Sequence, residues 1–313
     1  MRRCTLILLT AIIMVLNGIS AFAEIENWGN FGRPFSTTRI IDVSSGYDGR
    51  LRCIFAAVES DSGFLWKSFD GGLTWDRSHY VTDHWHNRVV VKKNRPYYVW
   101  TLVPSNSGNI DYIAGPWYSD DGGYSWLLMN YGLEDSKILH ALAVDQTSPR
   151  LIVAYVGCEG NAANEGDLLF KTSDGGITWY KSQKGLPDTF GTVYDIVVGE
   201  DNPDVIYCIF EGSSGSGVYQ STNAGANWSK IEVTPGSDSL ETAMAIGIGN
   251  TDSRFEVERR PNEIWVVEKE PVAGRVWWVT DTDNPDSAVE ISPRGLLVNS
   301  VCGQAASLLS KIR

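Results

Sequence analysis

The residue types best suited to chemistry fall into two groups. Asp83-His84-Trp85-His86 holds two of the four histidines in this 313-residue chain, and His79 lies close by. On an extended segment, imidazoles two residues apart share one side, which suits a metal, and the tryptophan between them can stack on a sugar or peptide. A zinc site needs a further protein ligand, none is evident, and no C-x-x-C spacing occurs. The segment therefore reads as a polar, solvated junction, and neither a metal nor another cofactor is expected. The second chemistry is glycoside hydrolysis, which needs two carboxyl groups about 5 to 9.5 Å apart, one of them with a raised pKa. Glu159, Glu165, Asp167, Asp188 and Glu211 are candidates, as are Asp42, Asp145 and Asp195. With 38 acidic residues in the chain, surface solvation is the simpler reading for any one of them.

A repeated turn must position these groups. Ser68-Phe69-Asp70-Gly71-Gly72-Leu73-Thr74-Trp75 returns as Ser119-Asp120-Asp121-Gly122-Gly123-Tyr124-Ser125-Trp126 and as Thr172-Ser173-Asp174-Gly175-Gly176-Ile177-Thr178-Trp179. A worn copy reads Ser221-Thr222-Asn223-Ala224-Gly225-Ala226-Asn227-Trp228. Each is a hairpin tip: hydroxyl and carboxylate accept from the turn's own amides, the glycines take positive φ, and a large plug starts the return strand. Asp70, Asp121, Asp174 and Asn223 stand 51, 53 and 49 residues apart. A period near fifty signifies an array of like units.

Each tip follows a short apolar strand, and each unit has an earlier strand that starts at a proline turn (Arg95-Pro96, Ser148-Pro149, Asn202-Pro203, Arg260-Pro261). In the third unit the strands are expected over 138–145, 151–156, 167–171 and 178–181, and Gly132-Leu133 and Gly185-Leu186 mark the unit junctions. Four antiparallel strands per period predict an all-β chain, a β-propeller with blades at about 37–86, 87–136, 137–190, 191–240 and 241–295. The fifth unit has strands over 263–268 and 275–279, a looser tip at Thr280 to Asp283 and a charged insertion over 250–261. Residues 296–313 read as the start of a further blade or a tail, and Trp28 to Pro34 offers a strand that could close the ring.

Successive loops of such a blade alternate ends, so the tips share one face with the first hairpin turns. The other face collects the loops at 59–63, 104–111, 157–166 and 211–216 and the junctions at 79–86 and 187–191. A ligand is expected there, at Asp83, His84, Trp85, His86, Glu159, Glu165, Asp188, Phe190 and Glu211, with Trp85 and Phe190 as exposed platforms. Asp42, Asp145 and Asp195 lie on first strands and are expected to line the channel. The tip residues Ser68, Asp70, Gly72, Trp75, Ser119, Asp121, Gly123, Trp126, Thr172, Asp174, Gly176, Trp179, Ser221, Asn223, Gly225 and Trp228 are expected to be structural. Trp66, Trp117, Trp265, Trp277 and Trp278 read as packing between blades.

Arg2 and Arg3, the apolar run Leu6 to Leu16 and Ala21-Phe22-Ala23 form an export signal over 1–23, cleaved near Ala23. The product would be secreted, periplasmic or cell-surface, and no segment is long enough to span a bilayer as a helix. The whole chain carries a net charge of −12, and loss of the two arginines leaves about 14 negative charges. Nucleic acid is therefore not an expected partner, since phosphate binding needs a basic face. Cys53, Cys158, Cys208 and Cys302 remain after cleavage and allow three pairings among which the sequence does not choose; Cys53 and Cys208 sit in apolar runs and read as buried thiols.

The S-x-D-G-G-x-T-W turns resemble the Asp boxes, or BNR repeats, of the sialidase-like propellers, over about residues 37 to 292. The resemblance implies a propeller with the boxes on its rim as folding devices. It leaves function open among sialidases, xyloglucan-active hydrolases, sortilin-type receptors and photosystem II assembly factors. Sialidases bind a substrate carboxylate with three arginines and use a late tyrosine activated by a glutamate. Here Arg39 falls near the first arginine, with Arg254, Arg259 or Arg260 offered for a second, but no tyrosine follows Tyr219. The functional expectation is a binding or interaction module for a carbohydrate or protein ligand. The alternative is a xyloglucanase- or sialidase-like glycoside hydrolase using two carboxylates on the face opposite the tips.

Overall fold

The computed structural model describes residues 39–59, 65–78, 86–104, 114–133, 138–160, 166–187, 190–212, 215–231, 243–248, 264–268, 275–279, 282 and 288–290. The leader over 1–23, Trp28 to Pro34, His79, Asp83, His84, Trp85, Glu165, Asp188, the insertion over 250–261, residues 296–313 and Cys302 lie outside the described residues.

Four strands in sequence build each unit. The first comprises β1 (Arg39–Tyr47), β2 (Arg52–Glu59), β3 (Leu65–Ser68) and β4 (Asp76–Arg77), and the second β5 (Arg88–Val91), β6 (Val99–Val103), β7 (Gly115–Ser119) and β8 (Leu127–Leu128). The third comprises β9 (Ile138–Val144), β10 (Ala154–Gly160), β11 (Leu169–Thr172) and β12 (Tyr180–Lys181). The fourth comprises β13 (Gly191–Val198), β14 (Ile206–Gly212), β15 (Gly217–Ser221) and β16 (Ser229–Ile231). The fifth comprises β17 (Ala243–Ile248), β18 (Ile264–Glu268), β19 (Arg275–Val279) and β20 (Ala288–Glu290). Within every unit consecutive strands pair antiparallel, and the first strands β1, β5, β9, β13 and β17 stand side by side. This is an all-β propeller.

The apolar core lies between blades rather than within them. One cluster joins Phe55 and Leu65 of the first blade to Val89 and Val99 of the second, and another joins Trp100 and Leu102 to Leu139, Val156 and Phe170 of the third. Two more join the third blade to the fourth, through Leu169 and Phe210, and the fourth to the fifth, through Tyr207 and Val266. Middle strands are thus covered on both sides, which is why β6 is buried at all five positions instead of alternating. The outermost strands have only two or three residues and face water, a common defence of sheet edges.

The third blade departs from the sequence expectation. Pro149–Leu151 form a 3-10 turn with Arg150 and Leu151 at φ 55° and 56°, so the second strand begins at Ala154 and runs to Gly160. Leu151 is fully buried, and its carbonyl accepts from Trp100 Nε1 at 3.0 Å. Burial of that side chain against the second blade holds the turn where proline alone suggested a strand start. The extra length at the far end lets Glu159 and Gly160 of β10 pair with Thr192 and Gly191 of β13, so the third and fourth blades share one sheet.

The tips are joints between blades. In each, the first hydroxyl accepts from the second glycine's amide (Ser68 from Gly72 at 2.8 Å, Thr172 from Gly176 at 2.9 Å). The aspartate accepts from the amide and hydroxyl four residues on, as Asp70 does from Thr74. The indole N–H then leaves the turn: Trp126 donates to Ser78 Oγ, Trp179 to the Met129 carbonyl and Trp228 to the Ser182 carbonyl, each on the preceding blade. Lys67 and Lys171 return bonds to the carbonyls of Gly123 and Ala224 on the following tip. A Cβ on Gly176, at φ 84°, would stand 2.6 Å from Met129 and 2.7 Å from Trp100. Trp75 of the first tip bonds instead to the Gly72 carbonyl of its own turn.

Candidate functional site

Backbone bonds fix the two faces. Gly122, Gly175 and Ala224 of the tips donate to Tyr97, Ile152 and Asp204 of the first hairpin turns, so tips and turns share one end. The ends of β10 and β14 and the start of β13 therefore lie at the other end. There Glu159 faces Thr192, and Thr192 faces Glu211, on three adjacent strands. Directly opposed residues share a side, and strands lie about 4.8 Å apart, so the two glutamates flank Thr192 with backbones about 10 Å apart.

Two β-bulges project rings above this row. The register of β9 on β10 skips His140, and that of β13 on β14 skips Tyr194. An extra residue bends its strand and re-aims its side chain. The two rings meet at 5.3 Å between centroids and 63° between planes. Burial, reinforced by the charges of Glu211 and Glu159, pushes the Tyr194 phenol above the usual range. His140 Nε2 is buried, has no hydrogen-bond partner, and stands 3.8 Å from Glu159 Oε2, an ion-pair distance too long for a hydrogen bond. Burial lowers the imidazole pKa, assisted by the Arg88 charge and opposed by Glu159.

Beneath the rings, Arg88 of β5 reaches past the third blade. Its Nη2 donates to the Tyr194 carbonyl at 3.4 Å and lies 3.5 Å from Asp195 Oδ1, and its Nη1 donates to the Asn87 carbonyl. Asp195 also accepts from the amides of Ile196 and of Ile246 on the next blade. Burial raises the Asp195 pKa, while Arg88 and those two amides limit the rise. Phe190, 58% exposed, stands at the rim beside Gly166 and Gly212.

The structure thus brings Glu159, Glu211 and Phe190 of the expected residues to one mouth. His86 is corrected: it is fully buried, not solvated, and its Nδ1 lies 2.9 Å from Thr101 Oγ1. The reason is position, since His86 lies two residues before β5 and its ring meets Thr101 of the neighbouring strand β6. Asp145 does not line the channel; it caps the first hairpin turn of its blade by accepting from Thr147 and Ser148. Asp42 is a joint, accepting from Val43 and from Val89 of the next blade, and Asp167 pairs with Lys181. Sequence reasoning missed Arg88, His140, Thr192 and Tyr194. The available signal was a polar or aromatic residue interrupting an apolar first strand, as in Leu139-His140-Ala141 and Val193-Tyr194-Asp195.

Cys53 and Cys208 are buried free thiols, and Cys158 is buried as well. Among the described residues, no three metal-ligating side chains come together, and no helix is long and apolar enough to cross a membrane.

No family model matches the chain, and no curated protein does. Solved structures do. A GH74 enzyme from Niastella koreensis superposes with a TM-score of 0.58 at 15% identity, over 80% of this chain and 38% of that one. The GH74 xyloglucanase from Xanthomonas campestris gives 0.57 at 16%, over 88% and 40%. YCF48 from Cyanidioschyzon merolae gives 0.51 at 14%, over 81% and 71%. This chain spans about two fifths of the length of either hydrolase. At these identities the likeness concerns the fold.

Proposed function

We propose that this chain is an exported binding module that holds a carbohydrate or protein ligand at the mouth opposite the turn tips. The observation that carries the reading is the row Glu159–Thr192–Glu211 overhung by the His140–Tyr194 ring pair. Rigid strands hold acceptors and aromatic surface together there, the combination by which polar ligands are oriented. In this reading residues 1–23 are removed on export, the tips belong to Asp-box repeats, and the blades keep the boundaries given above. Titration with a panel of plant and host polysaccharides and with peptides tests it. A ligand bound by the wild type and lost in Tyr194→Ala without product formation is the expected result; binding unchanged in Tyr194→Ala contradicts it.

A second reading, glycoside hydrolysis, is favoured by one feature, the two glutamates flanking Thr192. Their backbone separation of about 10 Å is compatible with the 6.5 to 9.5 Å carboxyl separation of inverting enzymes. Release of reducing ends that both Glu159→Gln and Glu211→Gln abolish would establish it.

A further inference from the structure

The fourth tip departs from the other three at both partners of one hydrogen bond. In the first three, Thr74, Ser125 and Thr178 donate their hydroxyls to the second carboxylate oxygen of Asp70, Asp121 and Asp174, so each side chain is engaged inside its turn. The fourth has Asn223 for the aspartate and Asn227 for the hydroxyl residue. Only the backbone bond survives, from the Asn227 amide to Asn223 Oδ1 at 2.9 Å. A carboxamide has one acceptor oxygen, and the Asn227 amide and the Ser221 hydroxyl both donate to it. The Asn227 side chain is thus released from the turn, and the residue is exposed.

Asn227-Trp228-Ser229 is the one N-x-S/T triplet in the 313-residue chain. Asn227 and Ser229 are both exposed, while Trp228 between them is buried and donates to the Ser182 carbonyl at 2.6 Å. Successive side chains of an extended segment point to opposite sides, so the plug faces in and the two motif residues face out. Ser229 begins β16, the outermost strand of its blade.

We infer that Asn227 is a site of N-linked glycosylation. The inference goes beyond the ligand reading and rests on its export part, since this triplet is modified in chains that cross a secretory membrane. Asn227 Nδ2 forms a bond to the anomeric carbon of an oligosaccharide carried on a polyprenyl diphosphate. The bond from that carbon to the diphosphate oxygen breaks, the diphosphate leaves with the electron pair, and Nδ2 gives one proton to a basic group of the transferase. The folded protein has to leave room for the product, and an exposed Asn227 does so. A glycan there lies beside the outer edge of the fourth blade, which it shields from pairing with other chains. Tips and mouth occupy opposite ends, so the mouth stays open.

The test expresses the full chain, leader included, in cultured mammalian cells and treats the secreted protein with peptide N-glycosidase. A single downward mass shift is expected, with Asn227 converted to aspartate in the peptide map. Asn227→Gln and Ser229→Ala should each abolish the shift, and Ser229→Thr should keep it. Asn227→Gln retains the backbone amide that bonds to Asn223, and Ser229→Ala leaves Asn227 in place. The peptide map of the wild type decides independently of how the variants fold. Secreted wild type without a shift overturns the inference and leaves the export reading intact. A shift that persists in Asn227→Gln, or a glycan mapped to another residue, also overturns it. A chain kept in the cytosol with its leader uncut overturns the export reading, and the inference with it.

Discussion

The two ends of this array of blades are made of similar residues put to different uses. At the tip end, carboxylates, hydroxyls and aromatics are consumed within the structure: Asp174 closes its own turn, and Trp179 bonds across to Met129. At the mouth, Glu211 and Phe190 face solvent and His140 keeps an unpartnered nitrogen. A short turn can satisfy its own polar atoms because donors lie two to four residues from acceptors. At the mouth the groups come from four strands, β9, β10, β13 and β14, and the bulges that aim two of them leave an acceptor over. On the binding-module reading proposed above, saturation belongs to the joints and surplus hydrogen-bonding capacity to the place for a ligand.

The largest effect should come from the pin between the ends. Asp195→Ala removes the buried carboxylate that Arg88 and two amides share, and should lower stability by about 3 to 5 kcal/mol in chemical denaturation. Next come the tips. Gly176→Ala combines a positive φ with the approach of Met129 and Trp100, whereas Gly72, at φ 96°, has nothing nearer than 3.7 Å to an added Cβ. Gly72→Ala should cost about 1 kcal/mol, and Gly176→Ala at least about 2 kcal/mol more. Equal losses would mean that the tips are closed turns and not joints.

Acid should separate the ends further. Hydrogen bonds from Thr74 hold the Asp70 pKa at about 2, and turn hydrogen bonds hold those of Asp121 and Asp174 below the usual carboxylate range. A carboxylate with a depressed folded pKa stabilises fully above its unfolded value near 3.9, and that contribution is lost as pH falls through the folded value. Melting temperature should therefore drop as pH falls from about 4 to about 2. Replacing Asp174 by Asn, the residue type found at position 223 of the fourth tip, should reduce that drop. Smallest of all, Glu159→Gln and Glu211→Gln should change stability by less than about 0.5 kcal/mol at pH 7 while weakening ligand binding.

The sequence displayed the periodic part of this molecule and concealed the aperiodic part. Four tips, their spacing and the proline turns led to five units, and loop alternation alone put Glu159, Glu211 and Phe190 at the end opposite the tips. What failed was whatever depends on a neighbouring blade. His86 sits in a polar segment but is buried beside Thr101, and Leu151 follows a proline but plugs the second blade's surface. A bulge is a mismatch between two strands, so the interrupted apolar runs at His140 and Tyr194 show that something breaks there but not that a bulge re-aims the two rings. Arg88 meets Asp195 across 107 positions of chain, a contact no local pattern encodes.

The division of labour between the ends is tested most directly by one pair of aromatic substitutions, read as affinity for the polysaccharide or peptide of the panel that the wild type binds. Tyr194 stands at the mouth, and Tyr124, 64% exposed, stands on a tip. Tyr194→Ala should weaken binding about fivefold and Tyr124→Ala should leave it unchanged. Loss of binding in Tyr124→Ala with Tyr194→Ala unaffected would contradict the account.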